Sequence, residues 1–431
     1  MLSKKLRIVG LSLLLITGLL LVACGGAAPA EEEEAAPAEE EEAAPAEEEE
    51  MAEEEEMAEE EEMAEEEPLI IGAVFNQTGW CAAYDGPPRE AAFLAAEVLN
   101  EGGGILGRQV EIIEIDGKTD PATVGTAARQ LIEQGAELII APCDFDIGAP
   151  ASQAAQEAGL VGTSLCASSP LYGSEVLGDL QFTASVWNNN MAAAAAEWAY
   201  NEQGWRTTAV LTDTSIEYTQ SLGDLYKEHW EAIGGEIVLD DTYVAGDEDV
   251  SAQIGRIQAL PEPPDVIYVS GINPDLASAL RQMRSAGIDT PIMGGDTYDD
   301  PELWAALGAE LGNDIYFGTH AWLGPESGDD MVEFLALFED FYGAPPEAGF
   351  AVMGWDVVMV YAQAVEAVGS TDGAAVADAM EEMEFDLLSG NMNWTDDVDG
   401  HFPDKEVALL GLEGGEPVFI AWVAVENPPG R

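Results

Sequence analysis

Basic residues are scarce in this chain of 431 residues: 14 Lys and Arg stand against 84 Asp and Glu, for a formal net charge of −70 at pH 7. Phosphate contacts need positive surface, so nucleic-acid binding is excluded. Histidine is rarer still, with three residues (His229, His320, His401). Three scattered histidines, with no G-x-S-x-G elbow and no H-E-x-x-H, argue against an exported hydrolase built on a Ser-His-Asp set or on zinc. The four cysteines show no C-x-x-C spacing, so no metal site and no cofactor are expected. The chain reads as a protein that is not an enzyme.

What is present begins with an export signature. Lys4, Lys5 and Arg7 precede an apolar run from Ile8, which is too short for a comfortable membrane span and is followed by small residues. The run closes on Leu21-Val22-Ala23-Cys24, which resembles a bacterial lipobox, whose cysteine receives lipid and becomes the mature N-terminus. On that reading everything from Gly25 onward works outside the cytoplasmic membrane, anchored to it through Cys24. Residues Ala27 to Glu67 are almost wholly Glu, Ala, Pro and Met in repeated blocks such as Glu31–Glu34 and Glu39–Glu42. Like charges at adjacent and i,i+4 positions repel, and nothing there can build a core, so the segment is expected to be a solvated spacer.

Beyond Pro68 the chain is long enough for two lobes with separate cores. It keeps eleven of the basic residues and 61 of the acidic ones, leaving about −50. That charge suits a salty or acidic medium and solvated helix faces. Cys81, Cys143 and Cys166 are an odd set, which in an oxidising compartment allows one disulfide and one free thiol in three pairings.

Strands and helices then alternate. Leu69–Phe75 is an unbroken apolar run, as in a parallel strand buried on both faces. A helix is expected over Pro88 to Asn100, a strand over Val110–Ile115, and a helix over Pro121–Gln134 opened by Asp120 as N-cap. The same rhythm restarts after Phe182–Val186, and Val407–Leu412 with Glu416–Val423 reads as a closing strand pair. The expected fold class is α/β: two Rossmann-like, doubly wound lobes facing one cleft, where the carboxyl ends of the strands present ligand-binding loops.

The order and spacing of several segments carry a resemblance. They are Gln77-Thr78-Gly79 with Ala82-Ala83-Tyr84, Asn100 to Arg108, Asp116 to Pro121, and Ser164 to Pro170. In the second half come Asp213 with Tyr218 to Leu222, and Pro274 to Thr290 leading into Gly294-Gly295-Asp296. Together, over Leu69 to Val423, the chain resembles the leucine/isoleucine/valine-type substrate-binding proteins of ABC transporters. The resemblance implies a type I periplasmic-binding fold with three crossover hinges, placed near Phe182–Asn188, Gly318–His320 and Phe385–Gly390. Residues 1–23 are then the signal peptide and 24–67 the lipidated cysteine plus a disordered acidic tether. Residues 68–188 with 319–385 form the N-terminal lobe, and 189–318 with 386–431 the C-terminal lobe. The implied mechanism is hinge closure on a small polar solute, an amino acid or a related compound, by a monomer that docks on a membrane permease. A sensory subunit passing its signal to a membrane receptor is the alternative.

The resemblance also assigns residues. Backbone N–H groups near Cys166–Ser169 and the Ser168 hydroxyl match the family's carboxylate clamp, Tyr84 and Tyr218 match contacts from opposite lobes, and Asp296 matches the acid that holds the ligand's ammonium. Trp80, Trp187 and Trp355 are candidate apolar walls. Two positions depart from the pattern. Asp144 stands where the family has a small hydroxyl residue, and Ile272 lies near a position that is often aromatic. An ionised Asp144 in the pocket would repel a ligand carboxylate, so either it turns away or the solute is cationic, amide-like or hydroxylated. Cys143 has Cys166 or Cys81 as a disulfide partner, or both loops keep unlinked thiols.

Overall fold

A computed structural model describes residues 67–247, 249–394, 400–403, 405–425 and 428–429. The signal peptide, Cys24 and the tether expected from the sequence lie outside the described residues.

Strand β1 (Leu69–Phe75) is covered on both faces, as its unbroken apolar run requires. Leu69, Ile71, Ala73 and Phe75 enter one core, and Val74 enters another. Helix α1 (Ala82–Glu101), β2 (Val110–Asp116), α2 (Pro121–Glu133), β3 (Leu138–Ala141), α3 (Phe145–Ala158), β4 (Gly162–Ser164) and β5 (Gln181–Thr183) follow. The five strands form a parallel sheet in the order β2-β1-β3-β4-β5. Asp120 caps α2 through the Thr123 N–H at 2.8 Å. Helix α1 starts at Ala82 rather than Pro88, because the Gly79–Ala82 turn and the Asp85 N–H to Cys81 carbonyl bond already wind the chain. This earlier start places Tyr84 on the helix just beyond the carboxyl end of β1. After α1 ends, Ile105 and Arg108 close a tight turn by exchanging backbone bonds of 2.9 Å. Gly104 has φ +75° there, and a β-carbon on it would overlap the Arg108 carbonyl oxygen.

The second rhythm runs α4 (Asn188–Glu197), β6 (Thr207–Asp213), α5 (Glu217–Ala232), β7 (Glu236–Tyr243), α6 (Ser251–Gln258), β8 (Val266–Ser270), α7 (Asp275–Ser285), β9 (Ile292–Gly294), α8 (Pro301–Leu311) and β10 (Ile315–Thr319). Three helices then return to the first core: α9 (Asp329–Tyr342), α10 (Ala351–Val368) and α11 (Gly373–Glu382). Phe334, Val357, Val358 and Val376 pack with Ile71 and Phe75 there. Gly354 lets α10 approach α1, since a β-carbon on it would overlap the Pro88 carbonyl oxygen. Last come the hairpin β11 (Glu384–Leu387) and β12 (Gly390–Asn393), then β13 (Val407–Glu413) and β14 (Glu416–Val423). The second sheet has the order β14-β13-β10-β9-β8-β6-β7, antiparallel only where β13 meets β10 and β14.

One expected boundary moves. The third crossover, read from sequence at Phe385–Gly390 with residues 386–431 in the second lobe, is here the β11–β12 hairpin. Phe385, Leu388, Met392 and Trp394 are buried in the first core, and Trp394 Nε1 donates to the Thr183 carbonyl at 3.1 Å. The chain therefore leaves the first lobe after Trp394. Between the lobes, Lys405 Nζ is buried and donates to the Ala184 carbonyl (3.2 Å) and to Ser389 Oγ (2.7 Å), tying together segments from two crossings. Burial pushes its pKa down to about 8.

Candidate functional site

In open α/β sheets, ligands bind beyond the carboxyl ends of strands where the strand order reverses. The first sheet reverses between β1 and β3, and the second between β6 and β8. Loops from these ends meet around one cavity of about 30 Å³. Trp80 and Tyr84 come from beyond β1, Asp144 and Cys143 from beyond β3, and Cys166 and Ser168 from beyond β4. The second lobe supplies Ile216 and Tyr218 from beyond β6, Ile272 from beyond β8, and Asp296 with Thr297 from beyond β9.

Seven sequence-derived candidates thus converge: Trp80, Tyr84, Asp144, Cys166, Ser168, Tyr218 and Asp296. Two do not. Trp187 is buried and stacks on Phe402 at 3.9 Å between ring centres, and Trp355 packs in the first core against Phe334 at 5.3 Å. Both are large apolar rings that core contacts have claimed. Sequence reasoning missed Ile216, Thr297 and Phe350. Phe350 precedes α10, far along the chain from the other lining residues, and nothing in its local pattern marks it. Its ring lies 5.3 Å from Tyr84.

Asp296 is buried and held from two directions. Tyr218 Oη donates to its Oδ1 at 2.5 Å. His320 Nδ1 accepts from the Val186 N–H at 3.2 Å, so the neutral ring carries its proton on Nε2, 3.0 Å from Asp296 Oδ2. That approach is at ion-pair distance but off the hydrogen-bond line, leaving an electrostatic contact. Burial lowers the His320 pKa, against the pull of Asp296, and so favours the neutral ring.

Asp144 does not turn away. It lines the cavity with its backbone at φ +73°, and its Oδ1 accepts from the Ile147 N–H at 3.1 Å to cap α3. Burial, reinforced by the charge of nearby Asp146, pushes its carboxyl up to about 8, so it is largely protonated at neutral pH. The repulsion expected of an ionised aspartate is thereby removed below that pH. The carboxyl becomes a neutral donor, the task a hydroxyl performs. Ser168 Oγ is buried in the same wall with no hydrogen-bond partner among the described residues, which leaves its capacity for a guest. Cys143 and Cys166 form a disulfide with Cα atoms 4.7 Å apart, linking the loops after β3 and β4, and Cys81 is the buried free thiol.

The two lobes touch directly across the cleft. Asn273 Nδ2 lies 3.5 Å from Tyr84 Oη while bonding Asp300 Oδ2 at 2.8 Å, and the Glu217 N–H donates to Asp146 Oδ2 at 2.9 Å. In this structure the lobes are in contact across the cleft.

Comparison with known proteins agrees with this geometry. A family model described as periplasmic binding protein matches residues 68–416. The Leu/Ile/Val-binding protein homolog 1 of Brucella abortus is 27% identical over 338 residues, 78% of this chain and 88% of that protein. The leucine-, isoleucine-, valine-, threonine-, and alanine-binding protein of Pseudomonas aeruginosa is 25% identical over 75% of this chain and 84% of its own. Among solved structures, the branched-chain amino acid transporter substrate binding protein LivJ from Streptococcus pneumoniae, in complex with isoleucine, has a TM-score of 0.75. Its identity is 25%, over 83% of this chain and 99% of that one. With the cleft, the paired sheets and a family match spanning both lobes, this chain belongs to the periplasmic binding proteins, in their two-lobed type I form.

Proposed function

We propose that this protein is a non-catalytic solute receptor of an ABC importer, which closes on a small α-amino acid or a close relative and presents it to a membrane permease. The observation that carries the reading is the chemistry of the cavity. Asp296, fixed by Tyr218 and facing in from the second lobe, suits an ammonium. Ser168, with its unpartnered hydroxyl, and the protonated Asp144 suit a carboxylate from the first lobe. Trp80, Tyr84, Phe145, Ile272 and Phe350 suit a short apolar side chain between them. The isoleucine named with the pneumococcal relative is chemistry of this kind.

The cavity between the touching lobes is too small to take in an amino acid as it stands, so the lobes part to admit solute and binding energy shifts the equilibrium toward closure. Lipidation at Cys24 and the acidic tether would hold a monomeric receptor outside the membrane, at high effective concentration near its permease. Deletion of the protein should abolish uptake of its radiolabelled solute by whole cells. Uptake that survives the deletion argues for a sensory subunit instead.

A further inference from the structure

A helix start leaves its first N–H groups without partners inside the helix, and a side-chain oxygen at the N-cap ordinarily answers one of them. Asp120, Asp144, Asp300 and Asp372 do this for α2, α3, α8 and α11. Helix α5 differs. Its N-cap residue is Ile216, which has no side-chain oxygen, and the oxygen comes from the other lobe: Asp146 Oδ2 accepts from the Glu217 N–H at 2.9 Å.

We propose that Asp146 is a positioning residue for closure, a helix cap supplied across the cleft that holds the lobes shut without touching the solute. The proposal rests on reading the cleft as the solute site. Asp146 sits in the first turn of α3 in the first lobe, beside the cavity but not lining it. Its neighbours Asp144 and Phe145 do line the cavity, as do Ile216 and Tyr218 flanking the capped N–H. The cap therefore joins the two walls that must meet over a solute. A carboxylate at this helix end also meets the positive pole of the α5 dipole. The opposing force is like charge: burial and then the charge of Asp146 raise the pKa of Glu217, whereas Asp144, largely protonated at neutral pH, adds little repulsion. Because the donor and acceptor ride on different lobes, the bond exists only in the shut form, and its loss acts on the open–closed equilibrium alone. The cap keeps a measurable share of the protein shut even without solute.

The test measures that share directly. Spin labels at Gln153→Cys on α3 and Glu228→Cys on α5, both exposed, report the distance across the cleft by double electron–electron resonance in the full chain. Of the native cysteines near the cleft, Cys81 is buried and Cys143 and Cys166 are bonded to each other. Without any added solute, the wild-type background should show a short-distance population, and Asp146→Ala should cut its ratio to the long-distance population by about fivefold, the usual effect of losing a cap. Asp146→Asn, which keeps an acceptor oxygen, should retain most of it. Circular dichroism melts confirm that each variant is folded. Identical distributions in wild type and Asp146→Ala overturn the proposal, and so does a wild-type distribution with no short component. Equal opening in Asp146→Asn and Asp146→Ala overturns capping as the cause. No solute enters this experiment, so its failure is separate from failure of the solute reading.

Discussion

Tyr218 Oη donates to Asp296 Oδ1 at 2.5 Å, with both residues buried in the second lobe beside the cavity. The tyrosine comes from α5, and the aspartate from the turn after β9. A carboxylate held in this way is oriented before a ligand arrives, so little ordering is left for the binding step. Burial and the charge of Asp296 keep the phenol protonated, far above its ordinary pKa, and hence always a donor.

Asp296→Ala removes the only carboxylate that the described residues place in this lobe's part of the cavity wall. An amino-bearing solute should bind about 2–4 kcal/mol more weakly, because its ammonium would be buried without a partner. Calorimetry checks this, and unchanged affinity would remove Asp296 from the site.

Ser168→Ala separates binding from folding. The hydroxyl is buried without a hydrogen-bond partner, so its removal should leave the melting temperature unchanged or slightly raised. Solute affinity should fall by about 1 kcal/mol. A clear loss of stability with affinity intact would make Ser168 a structural residue.

Binding of a zwitterion should weaken as pH rises through about 8, where Asp144 ionises. Its folded pKa is raised, so the neutral donor persists below that value and a repelling charge appears above it. Asp144→Ser should flatten the profile and bind at least as tightly at pH 9. A titration in which both proteins share the same alkaline decline would show that Asp144 takes no part.

The Cys143–Cys166 bridge closes a loop over a sequence separation of 23. Reduction should lower unfolding stability by about 3 kcal/mol on chain-entropy grounds, and should loosen two walls of the cavity. Urea denaturation with and without a phosphine reductant measures the first effect, and solute affinity under the same conditions the second. An unmoved midpoint would mean that the bridge adds nothing.

Much of the architecture was legible because buried parallel strands and capped helices announce themselves locally. The apolar run of Leu69–Phe75 and the Asp120–Pro121 start of α2 are examples. The acid at Asp296 and the tyrosines at 84 and 218 were legible through order and spacing along both lobes. What stayed hidden depends on contacts distant in sequence. Trp187 and Trp355 face Phe402 and Phe334 rather than solute, and the Phe385–Gly390 segment folds back onto the first core because its apolar side chains find room there. Whether Asp144 is charged was equally unreadable, since burial rather than residue type decides it.

The central claim is that the cleft closes on a small amino-bearing solute. A thermal-shift screen of the protein against amino acids, amides, polyamines and sugars tests it most directly. The account predicts that an α-amino acid or a close relative raises the melting temperature, by the equivalent of about 2.7 kcal/mol at 100 times its dissociation constant. A screen in which only sugars stabilise the protein, or in which nothing does, would contradict it.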